Sequence, residues 1–233
     1  MAEYLAIRIA GLPPLMTLAA DLLALLIVAL ISTAMVYWFL VHGLLPLWRR
    51  LGILPAWSLM LILTLAVPIA VVVFRRQLLS GGPFFHPLTF AGGVVTYGLN
   101  TWLWLQGRQV LDTRTMVGMP ELAPETCARP LLQEGIYARV RHPRYVSAWL
   151  FLLSMALFLG YPVLWWLLGV SVVGFLLISR LEERELAQRY GEEFELYRQR
   201  VPAFVPDIRS LPGPEGSGEA TSNPRDRISG DGG

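Results

Sequence analysis

Tyr137, Arg141, His142 and Tyr145 crowd into one polar, aromatic segment, Gly135–Tyr145, and Glu182 and Glu183 follow about forty residues later. These residue types suit a zwitterionic, partly aromatic ligand. Carboxylates attract an ammonium or sulfonium, Arg or backbone donors hold a carboxylate, and aromatic rings stack on a base. The same residues also suit an interfacial belt, with snorkelling Arg and Tyr and a charge-paired exit helix. What decides between these is whether the two blocks meet. The chain between them is almost wholly apolar, long enough for two membrane-crossing segments that turn back on themselves. A hairpin returns to its starting side, so both polar blocks are expected at one membrane face.

The composition fits that expectation. The chain has 233 residues, 55% hydrophobic and only 15% charged, with eight Trp. A soluble domain carries about a quarter charged residues. Mean hydropathy is +0.52. Every basic residue is Arg, and the net charge of +2 is too small to argue for nucleic acid. The one cysteine, Cys127, excludes an intrachain disulfide and a multi-cysteine metal site. The three histidines, at 42, 86 and 142, have no metal-ligand spacing, so no metal is expected. No phosphate loop or dinucleotide fingerprint is present, and the N-terminus does not read as a signal peptide.

A membrane span needs roughly 20 apolar residues. Leu22–Val41 is the cleanest candidate, with Asp21 expected at the headgroup level just before it. Trp57–Phe74 is the second, with a tolerated kink at Pro68. Leu88–Leu105 is the third. There Gly92, Gly93 and Gly98 allow close helix approach, and Asn100 is expected to bond to a neighbouring helix. Residues 108–144 are too polar to span and read as an ordered loop at the membrane face, with prolines at 120, 124, 130 and 143. Tyr145–Ser179 forms the hairpin, split at Gly160-Tyr161-Pro162. Its first helix should begin near Pro143, which suits a first turn. The charged stretch 180–200 reads as a helix leaving the membrane, broken near Gly191, and 210–233 as a disordered tail.

The fold expected is therefore all-α: an integral membrane bundle of about five transmembrane helices, a cytoplasmic cofactor loop and a C-terminal amphipathic helix. Residues 1–107 form a three-span region, 108–209 the core that carries the chemistry, and 210–233 the tail. Arg49 and Arg50 fall on the side of the polar blocks, while Arg75 and Arg76 oppose that arrangement. The balance favours an Arg-rich cytoplasmic face.

Two motifs sharpen the function. Gly135-x-Tyr137-x-x-x-Arg-His-Pro-x-Tyr145 is followed, past the hairpin, by Glu182-Glu183-x-x-Leu186-x-x-x-Tyr-Gly191-x-x-Phe-x-x-Tyr197-x-x-x-Val-Pro202. Together they closely resemble the isoprenylcysteine carboxyl methyltransferase and phospholipid methyltransferase superfamily, integral membrane enzymes that use S-adenosylmethionine. The match covers roughly residues 129–206; the first three spans carry no matching signature. The resemblance implies that Tyr137, His142, Pro143, Arg144 and Tyr145 contact S-adenosylmethionine. It implies that Pro130, Leu131 and Leu132 cradle it through the backbone, and that Glu182 reaches it from the far helix. Arg141, the motif arginine, is implied to order the pocket and serve catalysis.

The expected partners are a lipid bilayer and a lipophilic acceptor, and the expected place is a bacterial inner membrane with the site facing the cytoplasm. The acceptor atom, oxygen, nitrogen or sulfur, stays open. One departure bears on it. The prenylcysteine enzymes place an acceptor-facing Arg four residues before the first Glu, and Ile178 stands there instead. An apolar side chain at that position points to a neutral acceptor. Two other readings stand beside the enzyme: a noncatalytic membrane scaffold that keeps the fold, and a transporter or channel subunit. The intact Arg141-His142-Pro143 and Glu182 weigh against the first. Five unequal spans without inverted repeats weigh against the second.

Overall fold

The computed structural model describes residues 13–51, 53–110 and 130–206. Among these the chain is all-helical. Helix α1 (Pro14–Gly43) is followed by α2 (Leu45–Leu51), α3 (Ile53–Val73) and α4 (Arg75–Leu78). Then come α5 (Pro87–Arg108), a 3-10 turn at Gly135–Ala138, α6 (Pro143–Leu159), α7 (Pro162–Tyr190) and α8 (Glu192–Arg200). Cys127, Pro120, Pro124 and the tail beyond 210 lie outside the described residues.

Local chemistry accounts for most of the boundaries. Prolines open α1, α5, α6 and α7, where the missing N–H is one the first turn cannot use anyway. His86 caps α5 by accepting a hydrogen bond from the Leu88 N–H at 3.2 Å. Gly160 closes α6 in the left-handed region, at φ +67°. Its missing side chain matters twice over, because a Cβ there would collide with the Phe84 carbonyl. Gly191, at φ +55°, separates α7 from α8 as the sequence predicts. Helix α3 runs through Pro68 without ending.

α1 and α7 are long and apolar enough to cross a membrane; α6 and the Trp57–Val73 part of α3 are apolar but shorter. Ala24, Ile27 and Val28 of α1, Val71 of α3, Leu152, Met155 and Ala156 of α6, and Tyr161 and Leu164 at the start of α7 pack into one core. α5 lies against α6. A Cβ on Gly93 would sit 2.6 Å from the Phe158 ring, so glycine is what lets these helices close up. Lower down, the Ser147 hydroxyl donates to Asn100 Oδ1 at 2.7 Å, the interhelical bond expected of Asn100. The outward faces remain apolar: Leu54, Ile62, Val95 and Trp166 are 63–80% exposed.

α1 begins at Pro14, so the helix extends beyond the expected Leu22–Val41 span and includes Asp21. There the Tyr161 hydroxyl, at the hairpin turn, donates to the Asp21 carboxylate. Desolvation of Tyr161, together with that carboxylate, pushes its phenol well above the ordinary range. That hydrogen bond gives the part-buried carboxylate a partner within the bundle.

Gly160→Ala is expected to destabilise the protein by about 1–3 kcal/mol, from the left-handed backbone and the clash with Phe84. Gly98→Ala, with nothing within 4 Å of the new methyl, is the matched control and should leave the melting temperature unchanged or higher. Thermal unfolding in detergent compares them; equal shifts would refute the role given to Gly160.

Candidate functional site

The two polar blocks do meet. His142 immediately precedes α6, and Glu182 and Glu183 sit on α7 just past its apolar stretch, which ends at Ser179. Consecutive helical residues point about 100° apart, and His142 fits between them. Its Nε2 lies 2.8 Å from Glu183 Oε1 and its Nδ1 lies 3.6 Å from Glu182 Oε2. With a carboxylate at each ring nitrogen, the doubly protonated imidazolium is the matching form.

The electrostatics follow. Burial of His142 acts to lower its pKa, but the pull of Glu182 and Glu183 outweighs it and holds the imidazole at about 9. Burial likewise acts to raise Glu182, and the His142 imidazolium overcomes it, holding the carboxyl at about 2. Glu183 is also lowered, against burial, by hydrogen bonds from His142 and Arg141.

Arg141 is fully engaged. Its Nε and Nη2 donate to Glu183 Oε1 at 2.9 and 2.7 Å. Its Nη1 donates to the carbonyls of Arg198 and Val201 at 2.9 and 2.5 Å. The backbone continues the link: the Arg141 and His142 N–H groups donate to the carbonyls of Pro202 and Ala203, both at 2.9 Å. The Tyr197 hydroxyl donates to the Tyr137 carbonyl at 2.7 Å. The segment after α8 is thus laced along the loop that leads into α6.

Tyr145, in the first turn of α6, donates its hydroxyl to Glu182 Oε2 at 2.9 Å. Its ring is stacked between His142 and Phe175, at 5.6 and 5.1 Å between centroids. α1 supplies the remaining wall. Trp38 carries the Arg144 guanidinium over its ring at 4.9 Å and stacks on His42 at 5.4 Å. His42 Nδ1 in turn meets Glu185 Oε2 at 3.2 Å, and Glu185 Oε1 meets Arg189 at 3.2 Å.

These groups line one part-open cavity with about 840 Å³ of empty space, its mouth included. Every residue the sequence singled out lines it: Pro130, Leu131, Leu132, Tyr137, Arg141, His142, Pro143, Arg144, Tyr145 and Glu182. Trp38, Arg189, Tyr190 and Phe194 line it too. Tyr190 and Phe194 were part of the second motif. Trp38 had no sequence signal, lying within an apolar run and reaching the site only through the packing of α1 on α7. Ile178 corrects an expectation. It is 1% exposed, packed with Tyr145 and Phe175, and lines neither this cavity nor the one beside it. Its apolar character therefore reports core packing behind Tyr145 and says nothing of the acceptor.

The residues fit a sulfonium-bearing amino acid nucleoside. Glu182, its side chain 30% exposed, offers negative charge to the cavity. The aromatic residues Trp38, Tyr137 and Tyr190 and the segment Pro130–Leu132 line the same cavity.

The His142 bridge also sets a pH dependence. A pKa raised from the ordinary 6.5 to about 9 means that the ion pairs contribute fully below about 6.5 and are lost as pH rises through 9. The melting temperature should fall between pH 7 and 10. His142→Gln should start lower and lose most of that decline; an unchanged slope would refute the bridge.

Comparison with known proteins gives the same direction. Residues 88–193 match the family model described as Phospholipid methyltransferase. A Protein-S-isoprenylcysteine O-methyltransferase of Schizosaccharomyces pombe is 36% identical over 80 residues, 34% of each chain. A Methanethiol S-methyltransferase 1 of Bradyrhizobium diazoefficiens is 32% identical over 139 residues, 53% of this chain and 42% of that one. A Methanethiol S-methyltransferase of Crocosphaera subtropica is 28% identical over 156 residues, 65% of this chain and 57% of that one. This chain thus spans between a third and somewhat over half of the length of these relatives. No solved structure matches it significantly. The resemblance read from Gly135–Tyr145 and Glu182–Pro202 stands: over residues 88–193 the chain is similar to the isoprenylcysteine carboxyl methyltransferase and phospholipid methyltransferase superfamily.

Proposed function

We propose that this protein is an S-adenosylmethionine-dependent membrane methyltransferase that acts on a lipophilic acceptor. The observation that carries this reading is the convergence of both motifs, over a separation of some forty residues, on one cavity with a carboxylate and aromatic walls. Bound S-adenosylmethionine supplies an already activated methyl group for in-line displacement. The residues therefore need mainly to bind and align, and near-attack alignment alone is worth about 7–11 kcal/mol.

Glu182 attracts the positive end of the ligand, and Tyr145 and His142 fix that carboxylate in place. Tyr137, Trp38 and Pro130–Leu132, which line the same cavity, are assigned to the aromatic end. Arg141 acts as a positioning residue, since its nitrogens are taken up by Glu183 and two carbonyls. Glu183 belongs to the same scaffold.

The reading includes a membrane topology. α1, α3, α5, α6 and the apolar part of α7 serve as five spans, with their apolar outer faces toward lipid. α8 and the segment after it lie at the interface. The cavity end carries Arg141, Arg144, Arg180, Arg184, Arg189, Arg198 and Arg200, which favours the cytoplasmic side of a bacterial inner membrane. The ligand then enters from the cytoplasm and the acceptor from the bilayer. Residues 108–209 form the functional core and 1–107 its membrane support.

Glu182→Ala should weaken S-adenosylmethionine binding at least about tenfold, near 1.4 kcal/mol. Glu183→Ala should mainly lower the melting temperature, because it releases Arg141 and His142. Calorimetric titration of both purified variants, alongside their melting curves, tests this. Equal binding losses would sink the division of roles. Absence of binding by the unaltered protein, with no label transferred from methyl-labelled donor to a membrane lipid extract, would favour a noncatalytic scaffold.

A further inference from the structure

Helix α7 sorts its charges by face. Trp166, Val170, Val173 and Leu177 are 46–76% exposed and form the apolar stripe that the topology above turns toward lipid. Arg180 and Arg184 continue that stripe, and both are exposed. At 100° per residue all six fall within about 80° of arc on one unbroken helix. The acidic side chains of this stretch are committed elsewhere. Glu182 is met by Tyr145, Glu185 by His42, and Glu183 by Arg141 and His142. Among the described residues neither Arg180 nor Arg184 has a hydrogen bond or an ion pair. Neither lines the cavity that holds Glu182, which stands about 160° round the helix from the centre of the stripe.

Two guanidinium groups one turn apart on a helix repel each other. α7 therefore carries an uncompensated double positive charge, and it does so at a defined height. From Pro162 to Ser179 the helix rises about 27 Å, close to the roughly 30 Å of a hydrocarbon core. Arg180 is the next residue, and Arg184 stands about 6 Å further along, within the depth of the headgroup layer. A phosphodiester at that level meets both guanidinium groups, whose planar forks suit phosphate oxygens. A headgroup that carries its own ammonium is already neutral and brings a positive charge toward two others. A headgroup whose only charge is its phosphate has no such conflict.

Resting on the membrane topology proposed above, we propose that Arg180 and Arg184 form a docking site for one anionic phospholipid on the outer face of α7. The phosphate bridges the two guanidinium groups, and the acyl chains lie along Leu177 and Val173 toward Trp166. The lipid is a bound partner and not a methyl acceptor, because its head lies on the face of α7 turned away from Glu182. Docking removes the repulsion between the two arginines and so braces the turn that carries Glu182 and Glu185 on its other side.

The test uses the full chain in a neutral detergent. Native mass spectrometry compares retention of dioleoylphosphatidylglycerol, whose only charge is its phosphate, with that of dioleoylphosphatidylcholine. The anionic lipid is expected to bind at least about fivefold more tightly, and to raise the melting temperature more. Arg180→Gln and Arg184→Gln should each weaken that preference. The double variant should abolish it and leave phosphatidylcholine binding unchanged. Arg139→Gln, the same loss of charge at another exposed position, should leave the preference intact. Equal binding of the two lipids, a preference that survives in the double variant, or an equal loss in Arg139→Gln would overturn the proposal. Glycerol 3-phosphate should not compete; competition would make this a site for a soluble phosphate and overturn the lipid. With S-adenosylmethionine added, the mass of the bound lipid should stay the same, and a gain of one methyl group would overturn its role as a partner. If the double variant does not fold, an unchanged preference in both single variants overturns the site. Alkaline carbonate extraction of membranes holding the unaltered chain separates the two readings. If the chain is released without detergent, the topology fails and takes the docking site with it. If the chain stays in the membrane and the lipid preference is missing, the docking site alone fails.

Discussion

One imidazolium between two carboxylates organises this molecule. His142 is the last residue before α6, and Glu182 and Glu183 are neighbours on α7. A carboxylate at each ring nitrogen fixes the rotation of the ring, its protonation and the relative height of the two helices at once. Without it, two half-buried carboxylates would sit side by side without the cation that bridges them, and like charges at that spacing oppose each other. With it, Glu183 is drawn into the scaffold and Glu182 is held facing the cavity. The aromatic stack of His142, Tyr145 and Phe175 and the anchoring of Arg141 both build outward from that point.

The parts legible in the sequence are those with local or periodic causes. Pro143 opening α6, the turn at Gly160-Tyr161-Pro162 and the break at Gly191 are each written in the backbone preferences of one or two residues. Asn100 could be assigned a neighbouring helix because an amide among apolar residues has few alternatives. The cavity was legible for a different reason. Two motifs at the ends of a hairpin must share a face, whatever the remaining helices do.

What the sequence hid depends on pairings across long separations. Asp21 lies inside α1 and is met there by Tyr161, and no pattern near residue 21 announces a partner 140 residues away. Trp38 and His42 read as part of an apolar helix, and their roles emerge only where α1 packs on α7 beside Glu185 and Arg189. Ile178 shows the opposite hazard. A position can be matched to a motif by counting residues while its side chain is turned into the core by the packing of Tyr145 and Phe175. Counting along a helix gives an azimuth; only the neighbours decide what lies there.

The strap of residues 201–203 along Arg141 and His142 carries a consequence for biogenesis. The core cluster shared by α1, α3, α6 and α7 needs only those helices, although Phe204 later joins the cluster around Tyr145 and Phe175. The loop into α6 cannot be finished by them alone. Its two backbone N–H groups and one guanidinium nitrogen wait for carbonyls contributed by Arg198, in the last turn of α8, and by residues 201–203 beyond it. Packing of that helical core and completion of the cavity are therefore separable in time. During synthesis the helices can associate first, and the cavity is closed only after the segment past α8 has emerged and folded back.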